Sequence, residues 1–325
     1  MNDAQMPKRW LPVIKAVWLA LVLLLLAIFT IGISPYFDEL HVPCSAEDCL
    51  VTALSPQEVQ KLRDLGLTLD FYAGYMVGLD VFAVVIFIPL AGLIFWRKSD
   101  SWLGFLLSLA LLFFVTISAL STSALVRPYP GLLWPLLLLD GLVSLLFVLL
   151  FYLFPDGRFV PRWTLLMAIA LLGGVALDLL FLSRGQLVPS YSVLSEILWL
   201  VSLLVGAYAQ IYRYRRVSSP IQRQQTKWIM FGLIIVFATT FAWSFLFEIF
   251  PLESGSARLA IKLGFVIPVL LFTIFPVSVG FSILRYRLWD IDIVINRSLV
   301  YGSLTGVLAL IYFGSVVLLQ SLFVL

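Results

Sequence analysis

Three aspartates, Asp80, Asp140 and Asp178, stand within long apolar runs and are the strongest candidates for chemistry in this chain. A carboxylate inside a membrane costs about 2.5–3.5 kcal/mol on insertion scales, so it is usually protonated, paired or turned toward a cavity. Three roles stay open for these residues. They accept hydrogen bonds that fix helix packing, they line a pocket for a small ligand, or they carry protons or ions.

Residue types that catalyse reactions are scarce. The single histidine, His41, stands in a polar loop, and the chain contains neither a P-loop motif nor a G-x-S-x-G elbow. One histidine cannot build a bis-histidine haem site or a histidine-rich zinc site. Lysine and arginine cluster at loop ends rather than in an exposed stripe. We therefore predict no enzyme activity, no cofactor, no metal site and no nucleic-acid partner.

The longest polar loop carries the two cysteines, Cys44 and Cys49, in a C-x4-C pair. Oxidised cysteines persist outside the cytoplasm, and a bridge closing so short a loop adds roughly 2 kcal/mol through chain entropy. We predict a disulfide, with two free thiols as the alternative.

A short helix is predicted in the same loop. Ser55-Pro56-Gln57-Glu58 has the pattern of an N-cap followed by proline at the first helical position. Val59, Leu62 and Leu65 then form one apolar edge, so we expect an amphipathic helix that lies on the outer membrane surface and ends near Gly66.

The composition requires lipid around most of the chain. Of its 325 residues 62% are hydrophobic and 12% are charged, whereas soluble domains carry about a quarter charged residues. About 20 apolar residues cross the hydrocarbon core, and backbone groups in lipid must bond within their own segment, which favours helices. We predict an all-α polytopic transmembrane helix bundle of about nine spans. The predicted spans are 11–33, 70–96, 102–123, 131–154, 163–183, 193–212, 228–250, 260–284 and 298–325.

The basic residues predict the orientation. One set of alternate loops holds Lys8, Arg9, Lys15, Arg97, Lys98, Arg158, Arg162, Arg213, Arg215, Arg216, Arg223, Lys227, Arg285, Arg287 and Arg297. The other set holds Lys61, Arg63, Arg127, Arg184, Arg258 and Lys262. Basic loops stay in the cytoplasm. The N-terminus is therefore expected inside and the 34–69 loop outside, with the three aspartates in the outer half of the membrane.

Four regions follow from this topology. Residues 1–33 are the tail and an uncleaved first span, and 34–69 the extracytoplasmic loop. Residues 70–284 form seven further spans, and 285–325 an interfacial segment with the ninth span.

Several shorter patterns concern packing and turns. Gly74/Gly78 and Gly302/Gly306 are small residues at i and i+4, which favour close helix packing within the chain or a homodimer face. The stretch 154–158 predicts a tight turn with Gly157 at positive φ, and 219–222 predicts a capped helix start. Tryptophans at span ends are expected as interface anchors. These are Trp10, Trp96, Trp102, Trp163 and Trp228.

The segment 285–301, RYRLWDIDIVINRSLVY, suits a short helix in the inner headgroup plane. It is interpreted as a mechanical coupler between spans eight and nine or as a plain connector. Its candidate residues are Arg285, Arg287, Trp289, Asp290, Asp292, Asn296 and Arg297.

This segment also carries a family resemblance. RYRLWDIDIVINRSLVYGSLTGVLALIYFGSVVLLQ resembles the membrane-proximal end of the N-terminal region of bacterial multi-pass sensor histidine kinases. LFPDGRFVPRW and YRRVSSPIQRQQTKWIMFG resemble two further cytoplasmic loops of that group, so the similarity spans residues 150–320.

The resemblance implies a sensory, signal-coupling module of a two-component system in the bacterial cytoplasmic membrane, with a cytoplasmic kinase or response regulator as partner. The chain has no cytoplasmic histidine to accept a phosphate and no Asn- and Gly-rich nucleotide boxes. Kinase activity is therefore expected only from an output domain beyond Leu325 or on a partner. The alternatives are a transporter or channel for a small solute or ion, and a structural subunit of a membrane complex.

Overall fold

The computed structural model describes residues 8–44, 52–98, 101–155, 157–183, 189–250 and 255–284. Within these ranges the regular structure is helical, and the all-α prediction is confirmed there. The α-helices are α1 Leu11–Leu40, α2 Pro56–Asp64, α3 Leu69–Lys98, α4 Trp102–Ser118, α5 Leu120–Ser123, α6 Leu133–Leu153, α7 Thr164–Ser183, α8 Pro189–Arg216, α9 Pro220–Ile249, α10 Gly255–Leu263 and α11 Val266–Leu284.

Six helical stretches in the described ranges are long and apolar enough to cross a membrane, or seven if the bent pair α4 and α5 counts as one span. The six are Leu11–Leu40, Leu69–Lys98, Pro130–Leu153, Ile197–Arg216, Gln222–Phe247 and Gly255–Ser282. A shorter apolar stretch, Thr164–Leu177, belongs to α7. The predicted ninth span, 298–325, lies outside the described residues.

The first span extends beyond the predicted boundary at residue 33. Helix α1 continues through Pro35 to Leu40. Tyr36 and Leu40 in its last turns are fully buried against the start of α3 and the segment before α2. Because this burial stabilises the extra turns, the loop between α1 and α3 begins at His41, seven residues later than its predicted start at residue 34.

The predicted span 102–123 is not one straight helix. The backbone is extended at Ala119 (φ −67°, ψ 129°), and the two parts meet at a bend of 63°. The break leaves backbone N–H and C=O groups without helical partners, and side chains form hydrogen bonds with them. Thr122 Oγ1 donates to the Thr116 carbonyl at 2.6 Å, and Asp80 accepts from the Ser121 amide. A break inside a membrane is tolerated where protein groups satisfy the freed backbone.

Helix α2 packs on protein through its apolar side chains, and its position at the membrane surface stays a prediction. Val59 and Leu62 are buried in a cluster with Tyr36, Tyr72 and Leu259. Leu65 lies beyond the end of the helix and is exposed. Two of the three residues of the predicted apolar edge, Val59 and Leu62, therefore form the face that packs on α1, α3 and α10.

Contacts define two ends of the bundle. At the first, which we call the Cys44 end, Arg127 Nη1 lies 3.2 Å from Glu39 Oε1, and Lys262 contacts Glu58 across α10 and α2. At the other, which we call the Arg213 end, the turn after α6 meets the end of α8. The long helices of the described chain thus alternate in direction between these two ends.

Both predicted helix caps are confirmed. Ser55 and Glu58 form a reciprocal capping box at α2, and Ser219 and Gln222 form one at α9, which then runs unbroken to Ile249. Gly157 has φ of +73°, as the predicted turn requires.

Two packing predictions are corrected in part. Four of the five tryptophans predicted as interface anchors are exposed, namely Trp10, Trp96, Trp102 and Trp163. The fifth, Trp228, is buried and stacks on Phe281 with 5.2 Å between ring centroids.

Gly74 and Gly78 are exposed on α3, and a Cβ at either would meet no atom of the described chain within 4 Å. Helix packing in the described part therefore does not use this pair, and the homodimer face stays a prediction.

Candidate functional site

Asp80 is held at the break between α4 and α5. Its Oδ2 accepts the backbone N–H of Ser121 at 2.9 Å and the Ser121 hydroxyl at 2.6 Å. The backbone of Leu120 also donates toward the carboxylate. The N–H groups in the first turn of a helix have no partners within that helix, and they favour negative charge. Asp80 therefore caps α5 from a neighbouring helix.

A cavity of about 140 Å³ adjoins this carboxylate. Residues of α3, α4, α5 and α11, together with Ala119 and Phe265 between helices, line it. Asp80 and Ser118 supply its polar groups, and the remaining lining residues are apolar. Four phenylalanines stand among them, namely Phe87, Phe114, Phe265 and Phe272. An apolar cavity with one carboxylate has the composition of a small-ligand site.

Helix α11 forms one wall of the cavity and then runs to the Arg213 end. Pro268, Val269 and Phe272 line the cavity. Further along, α11 packs tightly on α9, where a Cβ on Gly232 would lie 3.0–3.1 Å from atoms of Ser278 and Phe275. The Ser282 hydroxyl donates to the Gln225 carbonyl at 3.0 Å. Helix α11 therefore joins the cavity wall to a closely packed contact with α9.

The structure does not gather the three predicted aspartates around one cavity. Asp140 is exposed on α6 and is not among the residues that line the Asp80 cavity. Asp178 belongs to α7, but its side chain lies outside the described part. Of the two aspartates whose side chains the structure describes, Asp80 lines the cavity and Asp140 does not.

Cys44 is disulfide-bonded, and its backbone N–H donates to the Leu54 carbonyl at 2.8 Å. Cys49 lies outside the described residues, and so do all the predicted coupling residues from Arg285 to Arg297. The pairing of the two cysteines and the coupling role stay predictions.

A buried ion pair at the Cys44 end was not predicted. Lys262 Nζ lies 2.8 Å from Glu58 Oε2, and both side chains are buried. Lys262 also donates to the Ala53 carbonyl at 2.6 Å. The sequence signal was present in part, because Glu58 belongs to the predicted N-cap motif Ser55-Pro56-Gln57-Glu58 and Lys262 interrupts an apolar run. Their pairing across about 200 residues could not be derived from local patterns.

Arg213 at the opposite end was assigned only as a loop cation, but it is 1% exposed. Its Nη1 donates to the carbonyls of Leu153 and Phe154, at 3.2 and 2.6 Å, and its Nη2 donates to that of Tyr152 at 2.6 Å. These are the carbonyls that the end of α6 leaves without intrahelical partners. The guanidinium therefore caps α6 from α8 and complements its negative end.

His41 stands just beyond α1. Nδ1 contacts the Phe37 carbonyl and Nε2 contacts Asp70 Oδ1, each at 2.8 Å. The Phe37 carbonyl raises the pKa of the imidazole above its ordinary value, and Asp70 raises it further. Only the protonated ring donates from both nitrogens, which is the physical cause of both effects.

Comparison with known proteins gives no relative for this site. No family model, no curated protein and no solved structure matches the chain.

Proposed function

We propose that this chain is a sensory, signal-coupling module of the bacterial cytoplasmic membrane, with nine spans and a cytoplasmic N-terminus. Its signal is a small molecule that occupies the Asp80 cavity. The observation that carries the proposal is the position of α11, which lines the cavity and ends at Leu284, directly before the predicted coupling segment. The resemblance of residues 150–320 to sensor histidine kinase membrane regions supports the same reading.

The proposed mechanism is a shift in helix packing. A ligand changes conformation only through its different affinities for two arrangements. An occupant of the cavity touches α3, the α4–α5 bend and α11 together, so it favours the arrangement that leaves room for it. Helix shifts of about 1–2 Å are typical of such transitions. Residues 285–297 would pass the shift of α11 to a cytoplasmic kinase or response regulator.

Spin-label distances test this coupling. The substitution Ala83→Leu places added bulk in the cavity, because Ala83 is one of its lining residues. Labels at Leu166 on α7 and Val277 on α11, both exposed, report the position of α11. We expect their distance distribution to move by about 1–2 Å in the Ala83→Leu variant.

Two controls make the measurement specific. A label pair at Leu166 and Leu204, exposed on α7 and α8, omits α11 and should not change. The variant Ala176→Leu adds the same bulk at an exposed position of α7 and should leave both distances unchanged. An unmoved Leu166–Val277 distance in Ala83→Leu would show that the cavity does not control α11 and would remove the sensory proposal.

Transport is the second candidate, favoured by the bend at Ala119. Transporters often bind solutes at broken helices whose half-helix ends face the site, and here α5 begins at the Asp80 carboxylate. This function predicts flux of a small cation or amine into proteoliposomes that is lost in Asp80→Asn. Absence of flux, together with a moving α11, would favour the sensor.

A further inference from the structure

We infer that the Asp80 cavity selects a small hydrophobic ammonium ion, such as an alkylammonium or benzylammonium. The inference rests on the proposed function for the existence of a ligand in this cavity. It adds the chemical class, which the shape, charge and aromatic lining of the cavity determine together.

The first argument is charge. Within the part of the chain that the structure describes, no lysine or arginine forms an ion pair with Asp80. The acidic residues that form ion pairs there are Asp70, Asp64, Glu39 and Glu58. Its bonds come from the neutral donors of Ser121 and Leu120. A carboxylate away from water is stabilised most by a cation that also donates hydrogen bonds. An ammonium group provides both, whereas an anionic ligand would meet a like charge.

The second argument is the aromatic lining. Phe87 and Phe114 stack with 5.9 Å between ring centroids and an interplanar angle of 24°, and both belong to the cavity wall with Phe265 and Phe272. Phenylalanine faces attract cations, with about 2 kcal/mol or more when the pair is desolvated. A carboxylate beside several phenylalanines is the arrangement that suits an organic ammonium ion.

The third argument is size. An engineered apolar cavity of about 150 Å³ accepts benzene, and the Asp80 cavity has about 140 Å³. The site therefore accommodates one ring or one short branched chain. Its apolar lining also favours an organic ammonium ion over a small hydrophilic cation, because few polar groups replace the hydration that such an ion would lose.

The competing interpretation is that Asp80 only caps α5. In that case the cavity is an ordinary apolar void, and a charged ligand gains nothing over a neutral one of the same shape. The comparison of benzylammonium with toluene distinguishes the two interpretations, since these ligands share the ring and differ in the ammonium group.

The experiment measures the binding of benzylammonium and of toluene to the purified full chain in uncharged maltoside micelles, with empty micelles as the blank. We expect benzylammonium to bind the wild type at least about tenfold more tightly than toluene. In Asp80→Asn this preference should disappear while toluene binding stays within about twofold. Asp140→Asn is the matched control, because it removes an exposed carboxylate that does not line the cavity, so the preference should persist.

Several results would overturn the inference. These are equal affinities of the wild type for both ligands, a preference retained in Asp80→Asn, or a preference lost in Asp140→Asn. If Asp80→Asn does not fold, Ala83→Leu decides, because filling the cavity should weaken benzylammonium binding by at least about tenfold. Unchanged binding in Ala83→Leu places the ligand elsewhere and rejects the site.

The outcomes separate this inference from the proposed function. An ammonium preference without movement of α11 would uphold the ligand class and reject the sensor. Movement of α11 in Ala83→Leu without an ammonium preference would reject the ligand class alone.

Discussion

Lys262 Nζ contacts Glu58 Oε2 at 2.8 Å although the two side chains are only 3% and 0% exposed. The contact joins α10 to α2, so it fastens the segment between α1 and α3 to the helices that lead into α11. Glu58 uses the same Oε2 to accept the Ser55 N–H at 2.6 Å, while its Oε1 is buried and has no hydrogen-bond partner among the residues that the structure describes. One carboxylate thus serves both as a helix cap and as the counterion of a buried lysine.

Glu58→Gln should destabilise the protein strongly. Glutamine keeps an oxygen for the Ser55 N–H but removes the negative charge, and Lys262 is left buried without its counterion. Breaking a buried ion pair by removing one partner costs about 3–5 kcal/mol. Thermal unfolding of the purified protein in detergent should show the loss as a lowered midpoint.

An exposed pair on the same helix provides the control. Lys61 Nζ and Asp64 Oδ2 lie 3.6 Å apart, with both side chains more than half exposed, so Asp64→Asn should change stability by less than about 1 kcal/mol. Removing both buried charges in Glu58→Gln with Lys262→Met should recover much of the loss. Equal effects of Glu58→Gln and Asp64→Asn would contradict the importance of the buried pair.

The titration of His41 gives a pH prediction. The Phe37 carbonyl and Asp70 raise its pKa in the folded protein above the ordinary value of 6.5. A raised folded-state pKa contributes stability that is complete below the ordinary pKa and is lost as pH rises through the raised value. Because the chain has one histidine, NMR of histidine-labelled protein reports this site alone.

Asp70→Asn should move the pKa of His41 toward its ordinary value without removing the contact with the Phe37 carbonyl. The pKa should not fall all the way, since the carbonyl is the larger cause of the shift. A pKa of His41 below 6.5 in the wild type would show that burial outweighs both contacts.

Arg213→Lys should destabilise the Arg213 end. Lysine has a single nitrogen and cannot reproduce the fork that reaches the Tyr152, Leu153 and Phe154 carbonyls. The Phe154 carbonyl keeps the Gln210 Nε2 donor and the Leu153 carbonyl keeps the Gly157 N–H, so the loss falls mainly on the Tyr152 carbonyl. A buried carbonyl left unsatisfied costs about 1–3 kcal/mol. Arg215→Lys, at an exposed position on the same helix, should stay within about 0.5 kcal/mol of the wild type. Similar unfolding midpoints for the two variants would contradict the capping role.

The orientation in the membrane is a separate prediction. Topology reporters inserted at Ser45 and Ser218 should report opposite compartments, with Ser45 outside and Ser218 in the cytoplasm, because the second loop carries the larger basic cluster. If both reporters give the same compartment, the predicted alternation of the spans is wrong, and the proposed function, which depends on that alternation, is rejected with it.

The amino-acid sequence by itself determined that the chain consists of apolar helices, where two of them are capped, and which residues interrupt them. These features depend on local composition and spacing. Apolar runs of about 20 residues require helices in lipid, and the Ser55 and Ser219 caps involve groups three residues apart. No contact between distant segments is needed for either.

Only the tertiary structure decided what the polar residues do. Asp80, Asp140 and Asp178 look alike in the sequence, yet Asp80 adjoins a cavity and Asp140 is exposed. Arg213 looks like a loop cation and Lys262 like a charge near the end of an apolar run, yet each is buried against groups that are distant along the chain. The physical reason is that helix packing decides whether a charged side chain is buried, paired or exposed, because packing determines which partners lie near it. Hydropathy along the sequence does not encode those partners.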